Sequence, residues 1–156
     1  MNIKWIFLSL VATLLISVGC ESNEDPAPQA DVIAAELQST ALEGQWRITY
    51  YFDSDKEETS DYAGFVFTFG ADGTVSATNG TTEVAGTWSV TDSSSSDDDS
   101  PEDDSDVDFN LFFVSPADFE ELSDDWDILK YNASRIELID ISGGDGGTDY
   151  LTFEKI

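Results

Sequence analysis

From Trp46 onward the chain alternates apolar and polar positions with a period of two, the mark of half-buried strands. Trp46, Ile48, Tyr50 and Phe52 share one face against Arg47, Thr49 and Tyr51, and Phe65, Phe67 and Phe69 form a second such segment. Ala71-Asp72-Gly73 turns into a third strand over residues 74–77, and Asn79-Gly80 into a fourth, where Val84, Gly86, Trp88 and Val90 share a face. Gly86 in that face leaves room for a large neighbour or a bend. Val107, Phe109, Leu111 and Phe113 make a fifth strand, and Trp126 and Ile128 mark a sixth. A seventh begins at Ile136 and Leu138, where the apolar phase slips to Ile139 and Ile141 and suggests a bulge. The last strand holds Leu151 and Phe153 after a glycine-rich turn.

Two helices punctuate the strands. Asp31 is placed to cap a helix running through about Ala41, with Ile33 and Leu37 one turn apart and Gly44 just beyond its end. Ser115-Pro116-Ala117-Asp118 opens a short helix through about Leu122, before the sixth strand. The fold class is therefore all-β, a small antiparallel up-and-down barrel of about eight strands, since closure removes exposed edges. A two-sheet sandwich is the alternative.

Residues 92–108 hold nine acids and six serines in 17 positions. Nothing in the acidic Ser/Asp stretch 92–106 can bury, so a disordered loop is expected there. Asp97, Asp98, Asp99, Asp103 and Asp104 offer weak, diffuse calcium ligation, without the Asp-x-Asp-x-Asp-Gly spacing of a shaped site. The whole chain of 156 residues carries 33 acids, six basic residues and no histidine, for a formal charge of -27. That excludes nucleic acid as a partner, because phosphate binding needs basic side chains. Zinc sites and histidine-based triads are excluded by composition, no serine sits in a Gly-x-Ser-x-Gly elbow, and no cofactor is implied. A non-enzyme is expected. The single cysteine forbids an internal disulfide.

That cysteine has a different role. Lys4 precedes a mostly apolar run over residues 5–18, which at about 1.5 Å per residue spans ~21 Å, short of a ~30 Å hydrocarbon core. The run fits a secretory signal better than a membrane span. It ends in Ile16-Ser17-Val18-Gly19-Cys20, which resembles the lipobox of bacterial lipoproteins. The resemblance implies a signal peptide at 1–19, a diacylglyceryl- and palmitate-bearing Cys20, and a membrane anchor. Residues 20–30 then form an acidic tether, stiffened by Pro26 and Pro28, ahead of the domain at 31–156. Glu21-Ser22-Asn23-Glu24-Asp25 resembles the signal that sends some lipoproteins to the outer face of the outer membrane, so the expected address is the bacterial envelope, with surface exposure.

Leu42-Glu43-Gly44-Gln45-Trp46 places a Gly-x-Trp after a short helix and at the start of the first strand. With the Phe-rich second strand before Asp72-Gly73-Thr74, Gly86-Thr87-Trp88, Trp126 and the closing Leu151-Thr152-Phe153-Glu154-Lys155-Ile156, it resembles small lipocalin-like domains of secreted bacterial lipoproteins. The resemblance covers about residues 42–156, apart from the acidic loop. It implies that Trp46 plugs a closed barrel end, beneath a late basic residue for which Arg135 and Lys155 are the candidates. It also implies a small apolar or amphipathic ligand. Trp46, Tyr50, Phe65, Phe67, Phe69, Trp88, Phe109 and Trp126 are the candidate cavity, or else simply the core of a small β domain. Tyr51 and Tyr62, outside that set, are surface candidates for stacking on a sugar ring. Two functions follow: a module holding a small apolar or amphipathic ligand in the barrel mouth, or a solid barrel whose outer face meets a protein or glycan partner.

Overall fold

The structure, a computed structural model, describes residues 30–92, 107–141 and 147–156. The signal peptide, Cys20, most of the tether and the calcium candidates of the acidic loop lie outside the described residues. The elements are α1 (Ala30–Leu42), β1 (Trp46–Asp53), β2 (Lys56–Glu57), a 3-10 helix (Thr59–Tyr62), β3 (Val66–Phe69), β4 (Thr74–Thr78), β5 (Glu83–Asp92), β6 (Val107–Phe113), α2 (Ala117–Glu120), β7 (Asp124–Asn132), β8 (Arg135–Ile141) and β9 (Thr148–Lys155).

Each stave pairs antiparallel with the next, in the order β1-β3-β4-β5-β6-β7-β8-β9, and β9 returns to β1. Because β1 pairs with both β3 and β9, the sheet closes into the expected eight-stranded up-and-down barrel and the sandwich alternative falls away. The two-residue β2 is a ninth strand that folds back on the end of β1, pairing Phe52 with Glu57.

Most of the predicted faces hold. In β6 Val107, Phe109, Leu111 and Phe113 are buried while Phe112 is exposed, and β5 buries Val84 and Trp88. Gly86 meets the ring of Phe113, the large neighbour its missing side chain accommodates.

Three readings need correction. In β1 the register against β9 shifts between Ile48 and Tyr50. Thr49 sits at that irregularity, and its buried hydroxyl has no partner among the described residues. The extra residue flips the phase, so Tyr50 is 39% exposed while Tyr51 is 1% exposed. No bulge occurs in β8, which pairs with β9 without a slip from Arg135↔Glu154 to Ile141↔Thr148. Ile139 and Ile141 simply face outward; the irregularity lies in β7, between Ile128 and Lys130. Finally, α1 already includes Ala30, so Asp31 lies in its first turn instead of capping it.

Both barrel ends are closed. The lower end holds the start of β1, the end of β5 and the start of β6. There α1 leaves β1 and packs against β3, β5 and β6, crossing to the far wall. Its own Leu37 and Ala41 face inward and are fully buried. The Trp46 indole donates to the Ala41 carbonyl at 2.9 Å, and the chain turns between them at Gly44, φ 103°. At the upper end the 3-10 helix and α2 fold inward, bringing Tyr62 and Phe119 over the mouth. Among the described residues, no helix is long and apolar enough to cross a membrane.

Candidate functional site

The predicted aromatic set is the core. Trp46, Phe67, Phe69, Trp88, Phe109 and Trp126 are buried, and Phe65, just ahead of β3, is half-buried against them. Ring centroids lie 4.9 Å apart for Phe69 and Trp88, 5.5 Å for Phe69 and Phe109, and 5.7 Å for Trp88 and Phe109. Phe153 completes the packing, 5.4 Å from Phe67 and 5.6 Å from Phe69. These are separations of rings in direct contact, with no ligand's thickness between them. Tyr50 alone of the eight leaves the set, for the outer wall.

The indole N–H groups are also committed. Trp46 donates to Ala41, Trp88 to the Gly70 carbonyl at 2.9 Å, and Trp126 to the Leu122 carbonyl at 3.1 Å. A pocket for a small amphipathic molecule needs a few polar groups aimed inward, and these three are aimed at backbone. A recess of about 280 Å³ lies elsewhere, open to solvent over β5 and β6 and lined by Thr87, Ser89, Asn110 and Phe112 among others. Of the two candidates for the cation over Trp46, Lys155 takes the place, its Nζ 5.2 Å from the ring centroid. Arg135 pairs instead with Glu137 and, at 2.6 Å, with Glu154 on the outer wall.

Tyr51 and Tyr62 are buried rather than free to stack on a sugar. The Tyr51 hydroxyl donates to the Glu121 carbonyl at 2.8 Å, and that of Tyr62 donates to the Asp118 carbonyl, so both tie down the segment around α2. Burial pushes both phenols well above the usual tyrosine range. Phe119 fills the centre of this closure, 5.0 Å from Phe65, 5.3 Å from Phe113 and 5.6 Å from Tyr62. Sequence periodicity misses this plug because its residues come from one-turn helices.

Carboxylates gather around the same end. Ligand oxygens of Asp53, Glu58 and Glu121 lie within 4.8 Å of one another. Burial, and then the Glu58 charge, raises the Glu121 carboxyl, while Lys56 pairs with Glu58 and offsets part of the repulsion. Hard oxygen donors of this kind suit calcium rather than zinc. Asp124, in phase with the buried Trp126, is raised to about 6 by burial first and then by a side-chain hydrogen bond with Asp125.

The outer wall carries what the sequence did not reveal. Register places Ile139, Tyr150 and Phe52 side by side on β8, β9 and β1. Tyr50 stacks beside Phe52, centroids 6.5 Å apart and planes 11° from parallel, and Phe52 lies 6.4 Å from Tyr150. Ile141 adds an aliphatic side chain that is 64% exposed. Only the strand register shows that these positions adjoin, and only the phase flip at Thr49 brings Tyr50 and Phe52 outside.

No family model matches the chain, and no curated protein matches it. A solved crystal structure, of a DUF4847 family protein from Bacteroides vulgatus, is similar at 16% identity and a TM-score of 0.44, over 77% of this chain and 97% of that one. At that distance the barrel rests on the strand register described above.

Proposed function

We propose that the chain is a lipid-anchored protein of the bacterial envelope whose lipocalin-like barrel acts through its outer wall and performs no catalysis. The observation carrying this reading is the filled interior, with Phe69, Trp88, Phe109 and Phe153 in ring contact and three indole N–H groups satisfied by backbone. A barrel packed this way binds with its surface. The anchor rests on the apolar run ending at Gly19-Cys20 and on the lipobox resemblance. Two or three acyl chains on one residue suffice for stable anchoring, each buried methylene contributing about 0.8 kcal/mol. The acidic residues after Cys20 favour the outer face of the outer membrane.

Two measurements test this. Intact mass of the membrane-extracted chain should show Cys20 as the acylated N-terminus, and Cys20→Ala should move the protein out of the membrane fraction. Native mass spectrometry of residues 21–156 after incubation with an extract of the producing cells should give the bare protein mass. A retained small-molecule adduct would return the function to the barrel interior.

A further inference from the structure

The apolar strip on the outer wall has charged borders. Following one row across the sheet, register gives Asp108↔Asp127, Asp127↔Ile139, Ile139↔Tyr150, Tyr150↔Phe52 and Phe52↔Glu57. Three apolar positions are thus bracketed by carboxylates on both sides, and exposed Asp125 stands beside Asp127 on the same face of β7. At about 4.8 Å per strand the bracket from Asp127 to Glu57 spans ~19 Å. Tyr50 and Ile141 extend the apolar centre along the strands. Below it, basic residues answer acids within the wall itself: Arg135 bridges Glu137 and Glu154, and Arg47 reaches Glu154 at 3.7 Å. Exposed carboxylates stand at both lateral borders, Glu57 on β2 and Asp125 on β7.

We infer that this face of β8, β9 and β1 is the docking surface for a basic protein, one that sets an aliphatic or aromatic side chain on Tyr50, Phe52 and Tyr150 between Lys or Arg residues facing Asp125 on one flank and Glu57 on the other. The inference rests on the outer-wall reading and gives it a location and a partner chemistry. Charge complementarity decides the occupant. A second copy would bring the same acidic flanks to the same face, and an anionic polymer or lipid surface would meet the same repulsion. A basic partner is drawn in by the whole field of the chain and oriented by the two flanks, and exposed Tyr50, with half-buried Phe52 and Tyr150 beside it, accepts its cations as well as its apolar groups.

The test places a photo-crosslinking amino acid at Tyr50, at Ile141 and, on the far wall, at exposed Ser89, in the full chain expressed in the cells that make it. The expected result is one protein adduct from Tyr50 and Ile141 and none from Ser89, with Lys or Arg in the captured segment. With the exposed pair Glu57→Lys and Asp125→Lys, or in 0.5 M salt, adduct yield should fall about tenfold, as for contacts steered by opposite charge. Circular dichroism of that double variant should match the parent. An adduct that survives charge reversal and salt, an adduct of twice the chain's own mass, or a glycan adduct would overturn the inference. An adduct from Ser89 with none from Tyr50 or Ile141 would overturn this location and leave the outer-wall reading standing. No adduct from any of the three positions would count against both.

Discussion

The ring of Phe113 occupies the space a side chain on Gly86 would need: a Cβ there would lie 2.6 Å from the ring Cδ1 and 2.5 Å from the Phe112 carbonyl oxygen. The oxygen belongs to the paired strand, so it cannot swing aside as a flexible side chain would. Gly86→Ala should lower stability by about 1–3 kcal/mol, the usual cost of forcing atoms into a packed core. Urea unfolding should show the midpoint falling with an unchanged slope, and the larger Gly86→Val should fall further.

Trp46 and Lys155 give a second prediction. The ammonium over the indole is partly shielded, and its other partner, Glu43, is exposed at 3.8 Å. Lys155→Met should cost about 0.5–1 kcal/mol, the range of a cation over an aromatic face, and Lys155→Arg should recover most of it. Trp46→Phe should cost more than Lys155→Met, because it also strands the Ala41 carbonyl that accepts the indole proton. Thermal unfolding of the three variants orders them.

Phe119 is the plug of the upper end, and its truncation should be expensive. Phe119→Ala removes ring contacts to Phe65, Phe113 and Tyr62 together. A loss of about 3–5 kcal/mol is expected, as for other buried Phe→Ala changes. The same variant should take up a hydrophobic dye that the parent leaves in solution, because the cavity would lie directly beneath α2.

Asp124 makes stability depend on pH in an unusual direction for a carboxylate. Its folded value of about 6 lies above the ordinary aspartate value of 3.8, so the folded state holds the proton more tightly than the unfolded chain. The stability this confers is complete below about pH 4 and is lost as pH rises through about 6. Asp124→Asn should therefore be more stable than the parent at pH 8, by about 1–2 kcal/mol once partial exposure to water is allowed for. The difference should vanish at pH 4; paired urea titrations at the two pH values check the sign.

Much of the barrel was legible because most of its strands keep one phase from end to end. Val107, Phe109, Leu111 and Phe113 read as a face since no residue interrupts their alternation. In β1 the same logic failed at Thr49, where nothing in Ile48-Thr49-Tyr50-Tyr51 distinguishes one aromatic from the next as the inward one. The apolar phase at Ile139 and Ile141 suggests a bulge in the sequence, yet β8 keeps its register against β9 and turns both to the outer face. The outer strip was illegible for a different reason. Ile139, Tyr150 and Phe52 are distant in sequence, and their adjacency comes from which strands pair.

The return of β9 to β1 has a consequence for how the molecule is made. Trp46 opens the first stave and pairs with Lys155 at the end of the last, so the contact that seals the barrel joins opposite ends of the domain. A chain delivered from its N-terminus has no sealed cylinder until its final strand is released, and long-range pairings of this kind form slowly. Until then β1 and β8 each present a raw edge able to capture a neighbour's strand. Shortening the chain by the length of β9 should leave that vulnerability permanent, turning a closed barrel into an aggregating sheet.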